Sequence, residues 1–121
     1  MTTQSTDTNQ LVHALHDAIA AGRILEALEE FYDENVEMQE GTNPPTVGLH
    51  ANREREKAWL ETVADFKNFE VKALATVGDT TFAETVMDYV DKDGNAVHSE
   101  QVARALWKDG KIVHERFYSA G

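Results

Sequence analysis

The sequence predicts one small α+β domain: helices over one face of a bent antiparallel sheet, closed around an apolar pocket. Three observations predict it. The first half of the chain shows apolar residues at helical spacing. The second half is a series of long strand-like runs broken by Gly-Asp or Asp-Gly, strong hairpin signals. The chain has 121 residues, 41% of them hydrophobic, enough to fold and close a core in a single domain.

The elements follow in order. Residues 1–9 read as a frayed tail and 10–121 as the domain. The tail is polar, with neither a basic stretch nor an apolar run, and so does not read as a secretory signal. Thr8 or Asn9 can cap a helix from Gln10 to Ala21, with Val12, Leu15 and Ile19 on one face. Gly22 ends it. A short second helix places Ile24, Leu28 and Phe31 in line, and Asp33-Glu34-Asn35 breaks it. Val36 to Glu40 is a short strand, and residues 41–48, with Pro44-Pro45, form a loop. A third helix is expected over Asn52 to Asp65, because Trp59, Val63 and Phe66 make one stripe at i, i+4 and i+7. Four strands follow: Phe69 to Val77, Thr81 to Asp91, Ala96 to Lys108 and Lys111 to Ser119. The turns are Gly78-Asp79, Asp93-Gly94 and Asp109-Gly110. Helices on one face of such a meander make an α+β domain.

Composition narrows the partners. The net charge is −11, from 22 acidic and 11 basic residues, so most of the surface repels nucleic-acid phosphates and anionic membranes. No run is long and apolar enough to span a bilayer. Cysteine is absent, which removes disulfides and thiolate metal sites and fits a reducing compartment; a cytoplasmic location is expected. The five histidines show no two-His-one-carboxylate spacing, so no metal is expected. No phosphate-binding loop, nucleotide-binding glycine pattern or nucleophile elbow occurs, and no cofactor is expected.

Several short pieces, in this order and spacing, resemble the nuclear-transport-factor-2-like superfamily in its SnoaL-like and ketosteroid-isomerase-like branch. They are Ala21-Gly22, Phe31-Tyr32-Asp33-Glu34 leading into a strand, Gly48 before the third helix, and the closing stretch from Leu106 through Val113. The resemblance covers about Leu11 to Tyr118. It implies a cone-shaped curved sheet, three helices on its concave side, a central pocket and often a homodimer through the convex face. It implies no single reaction, since the family includes isomerases, cyclases, dehydratases and non-catalytic domains. The ketosteroid-isomerase residues are missing. Counted without gaps, the tyrosine position falls on Leu15, the base on Gln39 or Met38, and the oxyanion acid on Val102 or Ala103. None can carry that proton chemistry.

The last hairpin supplies the candidate site. With Asp109-Gly110 as a two-residue turn, Leu106 faces Val113, Arg104 faces Glu115 and Val102 faces Phe117, all on one side. The resemblance makes that side concave. A one-residue bulge would swap part of the assignment. Glu115 is then the leading acid–base candidate, since burial raises a carboxylate's proton affinity. Arg104 would pair with it or hold an anionic ligand, although the pair also reads as purely structural. Glu40 is a second carboxylate near the pocket mouth, with Glu37 and Gln39 beside it. Trp59, Val102, Leu106 and Phe117 would form the apolar wall, or simply core. The opposite face would carry Trp107, Ile112, His114, Arg116 and Tyr118, an aromatic patch suited to a homodimer. The expected partner in the pocket is a small apolar or weakly anionic molecule. Three functions follow: a binding domain, a cyclase-, isomerase- or dehydratase-type enzyme using a pocket carboxylate, and an association module with a vestigial pocket.

Overall fold

The structure is a computed structural model that describes residues 4–120, with side-chain environments from Thr8 onward. Helices α1 (Gln4–Ala20) and α2 (Ile24–Phe31) lead into strand β1 (Tyr32–Glu40). A two-residue strand β2 (Thr46–Val47) and helix α3 (Leu49–Leu60) come next, followed by β3 (Val63–Val77), β4 (Thr80–Asp91), β5 (Ala96–Lys108) and β6 (Lys111–Ser119). The six strands form one curved, unclosed sheet in the order β2-β1-β6-β5-β4-β3. Its concave side holds the helices, so the architecture is the expected α+β cone. One pairing departs from the meander: β1 runs parallel to β6, with Met38 opposite Glu115.

Local chemistry explains the joints. Helix α1 stops at Gly22, whose φ is 81°. Arg23 N–H reaches back to the Ala18 carbonyl and Gly22 N–H to that of Ile19, both at 2.9 Å, the paired bonds of a Schellman stop. No loop separates α2 from β1, because Tyr32 is already extended while its N–H still caps the Leu28 carbonyl. The main core joins Val12 and Leu15 of α1, Leu28 and Phe31 of α2, Val36 of β1, and Trp107 and Ile112 of the last hairpin. The Trp107 indole N–H donates to the Thr81 hydroxyl at 3.1 Å, which satisfies its one polar atom at full burial.

Four expectations need correction. Helix α1 already runs from Gln4, so Thr8 and Asn9 lie inside it rather than capping it. Residues 4–9 of the expected tail are helical, and residues 1–3 lie outside the described residues. Second, α3 ends at Leu60, and residues 63–66 belong to β3, with Phe66 paired to Tyr89. The Thr62 hydroxyl donates to the Trp59 carbonyl at 2.6 Å and closes the helix there. The 12-residue β4 then pairs with β3 from Val63 to Val77, a long ladder that outweighs an apolar stripe at helical spacing.

Third, the last hairpin contains the one-residue bulge. Asp109 and Gly110 both have positive φ, 52° and 79°, as a type I′ turn requires. Lys108 faces Lys111 and Trp107 faces Ile112. The register then slips, and Leu106 faces His114, Ala105 faces Glu115, Arg104 faces Arg116 and Ala103 faces Phe117. Val113 is the extra residue. Strict alternation from a buried Ile112 would turn Glu115 and Phe117 outward; the bulge keeps all three inside. Arg104, Val102 and Leu106 are therefore on the convex face, not in the pocket. Fourth, Trp107 and Ile112 are 1% and 0% exposed and cannot form a dimer patch. Only His114, Arg116 and Tyr118 of the expected patch remain on the convex side.

Among the described residues, no helix is long and apolar enough to cross a membrane.

Candidate functional site

The sheet's curvature and the helices enclose a cavity of about 400 Å³, within the range of small-molecule sites. Helix α1 contributes Leu15, His16 and Ile19, and α2 contributes Ile24, Ala27 and Leu28. Helix α3 lays Arg55, Glu56 and Trp59 along one side, and β1 supplies Tyr32, Met38 and Glu40. The sheet wall carries Phe69, Thr85, Met87, Tyr89, Gln101, Ala103, Glu115 and Phe117, among others.

Glu115 is the buried carboxyl of the wall. It is 4% exposed, sitting on β6 between Met38 of β1 and Ala105 of β5. The Tyr32 hydroxyl donates to its Oε1 at 2.6 Å. Burial pushes the Glu115 carboxyl up to about 7, opposed by the Tyr32 hydrogen bond and reinforced by the nearby Glu56 and Glu40 charges. Burial and the Glu115 charge push the Tyr32 phenol well above its usual range. It therefore stays a donor at neutral pH.

Helix α3 adds a charged edge. The Arg55 guanidinium lies 3.5 Å from Glu40 and 3.7 Å from Glu56. A second Arg55 nitrogen donates to the Asn52 side-chain Oδ1 at 3.4 Å. Asn52 is fully buried and donates to the carbonyls of Thr46 and Gly48 at 3.0 and 2.9 Å, tying the loop after β1 to α3. Burial raises Glu56 above the usual carboxylate range, only partly offset by Arg55. Across the cavity, burial lowers His16 to about 4, so its imidazole is neutral at physiological pH. Its ring leans on Phe69, with centroids 5.9 Å apart. Trp59 donates its indole N–H to the Tyr89 hydroxyl at 3.2 Å and meets that ring edge-on.

Of the sequence candidates, Glu115, Glu40, Trp59 and Phe117 line this cavity. Gln39 does not; its amide turns to the loop and donates to the Asn43 carbonyl at 3.0 Å. Arg104 and Leu106 line a shallow dent on the convex face with Thr80 and His114. The expected Arg104–Glu115 pair is absent, because the bulge places the two on opposite sides of the sheet. The counted ketosteroid-isomerase positions that do face the cavity are Leu15, Met38 and Ala103, none of them titratable. Sequence reasoning missed Tyr32, His16, Arg55 and Glu56. A signal existed for the last two: Asn52, Arg55, Glu56 and Trp59 share one face of α3 at i, i+3, i+4 and i+7. Nothing local marked Tyr32, whose partner is 83 residues away.

A cavity between three helices and a conical sheet defines a class of pocket-bearing α+β domains. The family model of the SnoaL-like domain matches residues 12–115, and the chain belongs to that family. Among curated proteins none matches the sequence significantly. Solved structures share the fold. A proposed SnoaL-like polyketide cyclase from Mesorhizobium loti is 22% identical, with a TM-score of 0.79 over 91% of this chain and 97% of that one. A proposed SnoaL-like polyketide cyclase from Jannaschia sp. CCS1 superposes with a TM-score of 0.84 at 14% identity, covering 99% and 90%. A proposed isomerase from Bacillus subtilis gives 0.80 at 17% identity, covering 98% and 89%. At these identities the likeness is one of fold.

Proposed function

We propose that the domain binds a small, mostly apolar molecule in its cavity and moves a proton on it, with Glu115 as the acid–base group. One observation carries this reading: a buried carboxyl on the cavity wall, hydrogen-bonded by Tyr32 at 2.6 Å and held near pH 7 by its surroundings. Such a group is present in both forms at neutral pH, so it can take a proton from one atom of a bound molecule and return it to another. Tyr32 steadies the carboxylate when the proton has left. The apolar walls exclude water and orient the substrate. The chemistry suits isomerisation, cyclisation or dehydration, and the neighbouring folds include proteins described as a polyketide cyclase and an isomerase. A vestigial pocket is disfavoured, because the cavity is open rather than filled by side chains.

The test is hydrogen–deuterium exchange into a panel of enolisable cyclic ketones, neutral, anionic and amine-bearing, followed by NMR. Wild-type protein should catalyse saturable exchange whose rate follows a group titrating near 7. Glu115→Gln should lose about 100-fold or more of that rate. Exchange unchanged in Glu115→Gln overturns the assignment. Saturable binding without exchange, equal in both proteins, leaves a binding domain with no acid–base role.

A further inference from the structure

We infer that this cavity selects a cationic ligand, a small ammonium compound with an apolar or aromatic body. The inference rests on the cavity being the ligand site, not on Glu115 moving a proton. It starts from the charges that line the wall. Three carboxylates, Glu40, Glu56 and Glu115, face the cavity against one guanidinium, Arg55. Arg55 already faces Glu40 and Glu56, at 3.5 and 3.7 Å, and although its buried Nε has no hydrogen-bond partner, the carboxylates outnumber this one lining guanidinium among the described residues. Arg104, the anion hook expected from the sequence, lies on the other face of the sheet.

The remaining lining fits the same sign. Trp59, Phe69, Tyr89 and Phe117 surround the space, and aromatic rings attract ammonium groups through their electron-rich faces. His16 adds no repulsion, because burial keeps its imidazole neutral. The chain's net charge of −11 draws cations toward the mouth. The buried acids hold protons that a cation would displace. Glu115 shares the cavity wall with Tyr32 and Glu40 of β1, Arg55 and Glu56 of α3, His16 of α1 and Tyr89 of β4; Arg55 is the one cation among them, and the Tyr32 hydrogen bond also favours the carboxylate. When an ammonium group enters, Glu115 releases its proton to solvent and becomes the counter-ion, so affinity for the cation rises with pH. A neutral molecule of the same shape has no such dependence.

The experiment titrates the full chain by NMR with phenyltrimethylammonium, its neutral isostere tert-butylbenzene, and benzoate. At about pH 8 the cation should bind about tenfold more tightly than the isostere, and benzoate more weakly than either. At about pH 5.5 the cation's advantage should shrink to about threefold as Glu115 takes up its proton. Glu115→Gln should narrow the gap at high pH by lowering the cation's affinity. Glu56→Gln, whose side chain is 22% exposed, should do the same, so that the test does not rest on one variant. The inference is overturned if tert-butylbenzene or benzoate binds as tightly as the cation at high pH. It is equally overturned if the preference is undiminished in both variants, or if none of the three binds saturably. Cation preference without ketone exchange would sink only the acid–base reading; exchange without cation preference would sink only this one.

Discussion

The two faces of the sheet carry the same types of ionisable side chain and treat them in opposite ways. On the convex face, His98 lies between Asp88 and Glu100, its ring nitrogens 2.5 and 2.7 Å from their oxygens. Those hydrogen bonds, from Glu100 first and Asp88 second, raise the imidazole above its ordinary value. The His98 hydrogen bond in turn lowers Asp88. On the concave face, burial lowers His16 to about 4 and raises Glu115 to about 7. Partners decide on the wet side and favour the charged forms. Desolvation decides on the dry side and favours the neutral forms. A carboxylate on this sheet becomes chemically useful through the face it occupies, and the bulge at Val113 sets that face for β6.

Trp107→Ala should have the largest effect on the buried side. It empties the fully buried indole site and leaves the Thr81 hydroxyl without its donor. The loss is on the order of 4 kcal/mol, so urea denaturation should show a severely destabilised or unfolded protein. Full stability in this variant would show that the inward face of β5 does not hold the core.

Glu115→Gln tests the dry side alone. The folded-state value of about 7 lies above the ordinary 4.5. Between these values the unfolded chain has released the proton while the folded chain still holds it. Glu115 therefore lowers stability progressively as pH rises from about 4.5 to 7, and the deficit persists above that. The difference between Glu115→Gln and wild type should be near zero at about pH 4 and should favour the variant by up to about 3 kcal/mol at about pH 8. A flat difference across that range would contradict the burial argument.

Tyr32→Phe should have a smaller effect. Loss of the buried hydrogen bond costs about 1–2 kcal/mol. It also removes the one contact with Tyr32 that favours the carboxylate, so a 13C-detected titration of Glu115 should move upward from about 7. A downward move would mean that the phenol favours the protonated acid. The smallest effect belongs to the wet side. His98→Ala should leave the melting temperature and cavity binding unchanged, since exposed ion pairs contribute little. In wild type the His98 resonances should titrate above the ordinary histidine value, and a titration below it would show that the two carboxylates do not hold the proton.

Much of the fold could be read from local chemistry. The Asp109-Gly110 turn, the helix stop at Gly22 and the ends of β5 and β6 follow from residues adjacent in sequence. The apolar face of α1 is visible in the spacing of Val12, Leu15 and Ile19. Phe66 was misplaced because an apolar i, i+4, i+7 stripe can arise where helix and strand meet. Only the long β4 partner distinguishes the two. The parallel pairing of β1 with β6 joins residues far apart in the chain, and no hairpin signal marks it.

The sequence by itself determined the α+β class, the four long strands, the absence of thiol chemistry and Glu115 as the strand carboxylate to watch. These depend on composition, short-range turn geometry and period, all properties of neighbouring residues. The tertiary structure alone decided which charges share the cavity. The inward Trp107 sent Arg104, three residues before it on β5, outward, and a single bulged residue at Val113 kept Glu115 inside, because the core gains more from burying Trp107, Ile112 and Phe117 together than from an unbroken ladder. It also brought Tyr32 to within 2.6 Å of a carboxylate 83 residues away. No local pattern encodes that contact, since it exists only once β1 lies beside β6.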